Sequence, residues 1–253
     1  MSEFDDQVVI VTGAAQGTGA AICRSFAAAG ATVVVSDLDG GGADELAGEL
    51  GGRSIGVEAD VADPDACEVL VDRAFSEFDR VDVLVNCAGI FARTPAIEMS
   101  NEQWTQMFDV CVHGAFYCSR ALATRLIERE TPGAIVNISS TASTHSAPGV
   151  SAYSAAKAAM SSLTRSLGVE WAPHRIRVNA VAPGHVNVDR LHEAAAKGFM
   201  DLDAVARSIP AGRMAEPEEV ADAVMFLAGS RSGFVTSQVL FVDGGFSVPP
   251  IYR

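Results

Sequence analysis

Thr12-Gly13-Ala14-Ala15-Gln16-Gly17-Thr18-Gly19 sets the architecture of this chain. It closes an apolar, β-branched run at residues 7–12 and leads into an amphipathic stretch at 17–29, so a glycine-rich turn joins a strand to a helix. Glycines at such a junction let the backbone turn tightly and approach a pyrophosphate, whose charge meets the N–H groups of the helix N-terminus. In a chain with 23 glycines the G-x-x-x-G-x-G spacing can also arise by chance, and a plain tight turn is the alternative. Its position directly after a strand favours the phosphate loop.

Six further short runs rich in Val and Ile, at residues 32–36, 54–58, 82–86, 133–139, 175–181 and 238–242, have the length of buried strands. Amphipathic stretches at 64–78, 104–128, 151–171 and 217–227 alternate with them. A parallel connection has to cross over, usually through a helix. The alternation therefore predicts an α/β fold: a single-domain, Rossmann-type, doubly wound parallel sheet of seven strands with helices on both faces, spanning residues 1–253. Gly40 to Gly42 is too short to divide domains, and no repeat or low-complexity tract appears. Residues 185–212 are the least strand-like part, with Arg190, His192, Lys197, Phe199 and Met200 along a helix, and are expected to form a substrate lid.

Composition removes several function classes. With 18 basic and 32 acidic residues the formal charge is −14, and no basic stripe is present, so nucleic acid is not an expected partner. The stretch 26–35 is interrupted by Gly30 and Thr32 and falls short of the roughly 20 apolar residues of a membrane span. The start carries Ser2, Glu3, Asp5 and Asp6 rather than the basic opening of an export signal. Cys23, Cys67, Cys87, Cys111 and Cys118 are odd in number and form no C-x-x-C pair, which argues against a disulfide framework and a zinc site. The five histidines never fall at metal-ligand spacing, so no metal is expected. A cytoplasmic location is the expectation.

Asp37 closes the second strand, where a carboxylate can accept hydrogen bonds from ribose hydroxyls and would repel a 2′-phosphate. The neighbouring Leu38 and the loop residue Gln16 supply no cation for such a phosphate, so the expected cofactor is NAD. An N-cap or turn aspartate is the other common use of the residue. Further on, Tyr153 and Lys157 stand four apart on one helix face. A phenol is a poor base at neutral pH, and a neighbouring ammonium favours its phenolate. Two such residues can equally be snorkelling from a core. Ser140 is expected to end the fifth strand, thirteen residues before Tyr153, on the side where open α/β sheets bind ligands.

With these features in place the chain resembles the short-chain dehydrogenase/reductase family over nearly its whole length. The matching residues are Thr12-Gly13…Gly17-Thr18-Gly19, Asp60-Val61, Asn86-Cys87-Ala88-Gly89, Ser140, Tyr153…Lys157, Asn179, Pro183-Gly184 and Asp243-Gly244-Gly245. The resemblance implies hydride transfer between nicotinamide and a carbinol or carbonyl carbon. Tyr153 would exchange the hydroxyl proton, Ser140 would bond the substrate oxygen, and Lys157 would favour the phenolate while holding the nicotinamide ribose. Asp60 and Val61 would border the adenine, and Asn86, Ala88 and Gly89 would support the cofactor-side wall. Pro183 and Gly184 would belong to the cofactor site, and a homotetramer is implied, paired through 104–128 and 151–171, with 238–242 and 249–253 at a second interface.

Two positions depart from the family pattern. Cys111 stands where the family has an Asn that helps carry a water-linked proton relay to the Lys, and a thiol is a weak hydrogen-bonding group. Val188 stands where a Thr often contacts the carboxamide, leaving backbone, at Val186, to replace it. His145 and His185 closely follow Ser140 and Gly184 and are candidates to touch substrate. The expected activity is an NAD-dependent interconversion of a secondary alcohol and a ketone. The alternatives are a 3-oxoacyl-thioester reductase, or a dinucleotide-binding protein whose chemistry is impaired at Cys111.

Overall fold

A computed structural model of the protein describes residues 3–196, 198 and 200–248. Seven strands, β1 (Val8–Thr12), β2 (Thr32–Asp37), β3 (Ile55–Glu58), β4 (Val83–Asn86), β5 (Gly133–Ile138), β6 (Ile176–Pro183) and β7 (Val239–Val242), form one sheet in the order β3-β2-β1-β4-β5-β6-β7. Every neighbouring pair is parallel. The order reverses at β1, which lies between β2 and β4, and open α/β sheets bind ligands at that crevice.

β1 shows why the strand runs are continuously apolar. Val9 and Val11 point to one face, where they pack with Ile22 and Phe26 of α1 (Gly17–Ala28) and with Val220 and Val224 of α9 (Pro217–Ala228). Val8 and Ile10 point to the other, towards Leu70 and Val71 of α3 (Pro64–Phe78) and Leu122 and Leu126 of α5 (Gly114–Glu128). Both faces are covered, so no polar alternation survives.

The structure departs from the sequence expectation in four places. Residues 40–50, which are not among the expected amphipathic stretches, form a helix, α2 (Gly40–Leu50), whose N-terminus is capped by Asp39 accepting from the Gly42 N–H at 3.1 Å. The stretch 104–128 is not one helix. It begins earlier, as α4 (Asn101–Phe108), because Ser100 and Gln103 form a reciprocal capping box, and it passes through a π-helical turn, Asp109–His113, before α5. Ser140 does not end β5 but lies two residues beyond it, where its hydroxyl caps a short 3₁₀ turn. The 185–212 excursion holds two helices, α7 (Asp189–Ala196) and α8 (Leu202–Ser208), rather than one; Lys197 and Phe199, expected on it, lie outside the described residues. The remaining helix, α6 (Ser151–Trp171), has the expected bounds.

Candidate active site

The carboxyl ends of β1, β4 and β5 carry a row of small polar residues in register, Thr12 opposite Asn86 and Asn86 opposite Asn137. Thr12 Oγ1 accepts from the N–H groups of Cys87 and Ala88, at 3.2 and 3.3 Å, and so ties the loop after β1 to the loop after β4. Gly13 then packs so closely that a β-carbon there would lie 2.5 Å from Ala88 Cα, and its φ of +64° also excludes most side chains. A β-carbon at Gly19 would meet Gly13 O at 2.2 Å. Gly17 differs: its open side faces only Val188 Cγ1, 3.8 Å from where a β-carbon would be. The loop is thus closed by glycines on the protein side and open towards the start of the 185–212 segment, which is the shape a pyrophosphate requires.

Asp37 helps hold that loop. Its Oδ2 accepts from the Ala15 N–H at 2.9 Å and its Oδ1 from the Asp39 N–H at 3.1 Å. Each carboxylate oxygen keeps a further lone pair, so the turn role and a ribose-binding role are compatible. Leu38 beside it is 67% exposed, an apolar surface available to an adenine ring, and Gln16 stands as N-cap of α1 without a side-chain cap bond. Asp60 Oδ1 accepts from the Ala62 N–H, and the Val61 side chain is buried beneath Gly114, whose β-carbon would collide with it.

Asn86 does not present its side chain to the site. It is 3% exposed, and its Nδ2 donates to Ser119 Oγ at 2.9 Å and Asn137 Oδ1 at 2.8 Å, while Asn137 Nδ2 donates to Thr164 Oγ1 at 2.9 Å. This polar chain joins α5, β4, β5 and α6 through the interior, which makes Asn86 a tie behind the cofactor-side wall rather than a ligand-binding side chain.

Lys157 is 4% exposed, and its Nζ donates to Ile138 O, at the end of β5, at 2.7 Å. Its ammonium lies 5.7 Å from the centre of the Tyr153 ring. Ser139 fixes the same strand end to α6 through Lys157 O and Ser161 Oγ. Ser140 Oγ accepts from the Ala142 N–H at 3.1 Å, which leaves its own O–H free to donate. The half-buried Tyr153 is braced edge-on by Phe91, with ring centres 5.0 Å apart, and its hydroxyl bonds no other group among the described residues.

Cys111 is fully buried at the middle of the π-helical turn, its Sγ 3.7 Å from Ile90 O and 3.9 Å from Met107 Sδ. A β-carbon at Gly89 would sit 3.6 Å from Lys157 Nζ and 3.7 Å from Cys111 Sγ, so the ammonium and the thiol both face the same glycine. Cys111 sits in a π turn, in which the Gly114 N–H reaches back to Asp109 O, five residues away.

The other side of the site is built from the chain after β6. Pro183 ends that strand, and Gly184 packs against Asp243, where a β-carbon would lie 3.0 Å from Asp243 Cβ. Val186 pairs with Ala215 in an isolated parallel bridge, and the Val188 N–H donates back to Val186 O. His185 is held below its ordinary pKa by burial, and its Nδ1 has no hydrogen-bond partner among the described residues. Phe246 stands perpendicular to it, with ring centres 5.2 Å apart, and reaches the exposed His145 ring at 6.4 Å. Burial alone would raise the Asp243 carboxyl, but hydrogen bonds from Ser247 and Gly245 and the charge of His145 hold it below the ordinary range. Phe246 and the Asp243 turn were not foreseen as site walls. The Gly244-Gly245 pair was the available signal, since both have positive φ and pack against Ile209, Pro210 and Ala211 at the end of the 185–212 segment.

A family model described as enoyl-(acyl carrier protein) reductase matches residues 13–247. The crystal structure of a short-chain type dehydrogenase/reductase from Mycobacterium marinum superposes with a TM-score of 0.90 at 30% identity, covering 98% of each chain. The chain is a short-chain dehydrogenase/reductase. Cis-4-hydroxycyclohexanecarboxylate dehydrogenase of Sinomonas cyclohexanicum is 41% identical to it over 248 residues, covering 96% of this chain and 98% of that one. A 3-oxoacyl-[acyl-carrier-protein] reductase of Synechocystis is 36% identical over 250 residues, covering 97% and 98%. This short-chain dehydrogenase/reductase is therefore an oxidoreductase of a family that uses a nicotinamide dinucleotide. Among its described residues no helix is long and apolar enough to cross a membrane, and no three of His, Cys, Asp and Glu are grouped to hold a metal.

Proposed function

We propose that the protein is an NAD-dependent oxidoreductase interconverting a secondary alcohol and a ketone, with Tyr153 as the acid/base. The observation that supports this reading is the buried Lys157 ammonium, 5.7 Å from the centre of the Tyr153 ring and bonded to Ile138 O at the end of β5, two residues before Ser140, whose O–H is free to donate. The glycine cradle of residues 13–19 fits a dinucleotide: Gly13, Gln16, Gly17, Thr18 and Gly19 would hold the pyrophosphate, Asp37 and Leu38 the adenosine end, and Lys157 the nicotinamide ribose. When bound, NAD supplies the carbon that accepts the hydride. Ser140 donates a hydrogen bond to the substrate oxygen and fixes the carbinol beside Tyr153. Tyr153 takes the hydroxyl proton as the carbonyl forms, and Lys157 favours the phenolate that does so. Val188 has no hydroxyl for the carboxamide, so main chain at Val186 serves there, and residues 185–212 close over the substrate beside His145 and His185.

A panel of secondary alcohols with NAD, read by NADH absorbance beside a cofactor titration, tests this. Turnover supports it, whereas tight cofactor binding with no turnover of any alcohol favours the impaired dinucleotide-binding alternative. The acyl-carrier relative supports a second reading, reduction of a 3-oxoacyl thioester. Asp37 opposes its usual NADPH form, and the −14 charge offers no basic dock for an acidic carrier. The reading includes a cytoplasmic homotetramer paired through α4, α5 and α6 and, at a second interface, through β7; residues 249–253, expected at the second interface, lie outside the described residues.

Cofactor choice is tested at Asp37. Asp37→Ala removes the charge facing a 2′-phosphate and also the acceptor that organises Ala15, so efficiency with NAD falls while that with NADP holds or rises. The preference is expected to narrow by roughly tenfold or more. Comparable efficiency of the wild type with both cofactors would contradict the assignment.

Cys111 is tested by Cys111→Asn. If the missing amide limits the proton relay, the variant turns over faster near neutral pH, with a smaller solvent isotope effect on single-turnover hydride transfer. The thiol is fitted between Ile90 O and Met107 Sδ, so a larger polar side chain is expected to cost about 1–3 kcal/mol of stability. An unchanged rate and isotope effect in a folded variant would leave Cys111 as a packing residue.

A further inference from the structure

Arg190, in the first turn of α7, is exposed, and its guanidinium lies over the Phe91 ring, 5.6 Å from its centre. Phe91 is the ring that braces Tyr153, so one aromatic ring lies in contact with both the arginine and the Tyr153 ring. A cation in that place is unusual in a chain with 32 acidic and 18 basic residues. Nine arginines, such as Arg24, Arg125 and Arg213, hold carboxylates. Arg177 is used up by the carbonyls at the end of α9, and Arg93, two residues from Phe91, donates its Nε to Pro148 O. Arg190 has neither a carboxylate nor a carbonyl partner among the described residues, although Asp189 and Glu193 flank it on the same helix.

The segment carrying Arg190 is also anchored. His192 Nε2 lies 2.6 Å from Asn187 Oδ1, and Asn187 Nδ2 donates to both carboxylate oxygens of Glu216, the N-cap residue of α9. This chain of contacts fixes the start of α7 against the body of the protein and holds the arginine at the mouth of the site. An unpaired guanidinium stacked on an aromatic face keeps all its N–H donors for a ligand, and its fork matches a carboxylate with two parallel hydrogen bonds.

We propose that the substrate is a secondary alcohol bearing a carboxylate at the end away from the reacting carbon, and that Arg190 binds that carboxylate. The proposal rests on the oxidoreductase reading and adds the substrate class to it. Arg190 acts here as a specificity residue: it binds ground state and transition state alike, so its removal raises KM and leaves kcat nearly unchanged.

The test compares 4-hydroxycyclohexanecarboxylate with its neutral carboxamide and with cyclohexanol, using wild type, Arg190→Met and Arg190→Lys at saturating NAD. Wild type is expected to prefer the carboxylate over the carboxamide by about 10- to 100-fold in kcat/KM, mostly through KM. Arg190→Met should lose that preference while keeping its rate on the carboxamide within about twofold, and Arg190→Lys should restore part of it as a point charge. Equal efficiency of wild type on carboxylate and carboxamide, or a parallel loss on both in Arg190→Met, overturns the proposal. A second arm needs no turnover: calorimetric titration of the enzyme–NAD complex with cyclohexanecarboxylate, which lacks the hydroxyl. At least tenfold weaker binding by Arg190→Met supports the proposal, and equal binding overturns it. Arginine-dependent binding with no turnover of any of the three alcohols would instead count against the oxidoreductase reading and leave the carboxylate site standing.

Discussion

Tyr153→Phe is expected to lower turnover by about a thousandfold or more while leaving NAD affinity and thermal stability near wild type. The substitution deletes one oxygen and keeps the ring. Edge-on contact with Phe91, at 5.0 Å, and the placement of the ring 5.7 Å from the Lys157 ammonium both survive. No hydrogen bond to another described residue is lost, so the variant has no structural reason to unfold. What it cannot do is take the proton from a carbinol. Steady-state rates on any accepted alcohol, with a cofactor titration and a melting curve on the same preparation, separate the two effects. A near-native rate would mean that another group moves the proton, and a large loss of NAD affinity would mean that the hydroxyl holds cofactor rather than substrate.

The parts of the fold legible in the sequence are those fixed by local chemistry. The seven strands could be read to within one or two residues because each is a short β-branched run that is apolar on both faces, as Val8, Val9, Ile10 and Val11 show by alternating between the two core layers. The glycine-rich turn after β1 was legible because its glycines answer to steric needs that no other residue meets: Gly13 against Ala88 and Gly19 against Gly13 O. The helix α2 was hidden for a related reason. Its opening Gly40-Gly41-Gly42 has poor helix propensity, yet a β-carbon at Gly40 would lie 2.6 Å from Glu58 Oε2 and one at Gly42 3.1 Å from Ala15 Cβ. The glycines there record close packing against β3 and the glycine-rich turn, not the absence of a helix, and Ala43, Leu46 and Ala47 supply its buried face.

The site was legible as a set of residues and only partly as a geometry. Nothing in Asp109-Val110-Cys111-Val112-His113 announces a π turn, because the extra residue is set by tertiary contacts, Gly114 against Val61 and Cys111 against the Ile90 carbonyl. Asn86 is expected to support the cofactor-side wall, and what the sequence does not show is how: its side chain bridges Ser119 and Asn137 inside the sheet. Arg190 and Phe246 approach the site from chain segments distant in sequence, and spacing carries no information about such contacts.

Lys157→Met should move activity and stability in opposite directions. The ammonium is almost wholly buried, its hydrogen-bond partner is one neutral carbonyl, Ile138 O, and no carboxylate pairs with it among the described residues. An ammonium held this way costs several kcal/mol in lost hydration, less what that hydrogen bond and penetrating water restore. Met keeps the alkyl stem and its packing, gives up a charge-assisted hydrogen bond worth about 1.5–3 kcal/mol, and removes the charge. The cofactor-free variant is therefore expected to be as stable as wild type or more so, by up to about 2 kcal/mol, which for a chain of this size is a rise of several degrees in Tm. Turnover should nonetheless fall by about a thousandfold, because neither the phenolate nor the ribose retains its partner. A lysine kept only as a snorkelling core residue predicts the reverse, a lower Tm with activity retained in proportion to folded protein. Melting curves without cofactor, set beside kcat for the same preparations, distinguish the two. Stability gained as turnover is lost is what a charge maintained for chemistry, at the expense of the fold, would produce.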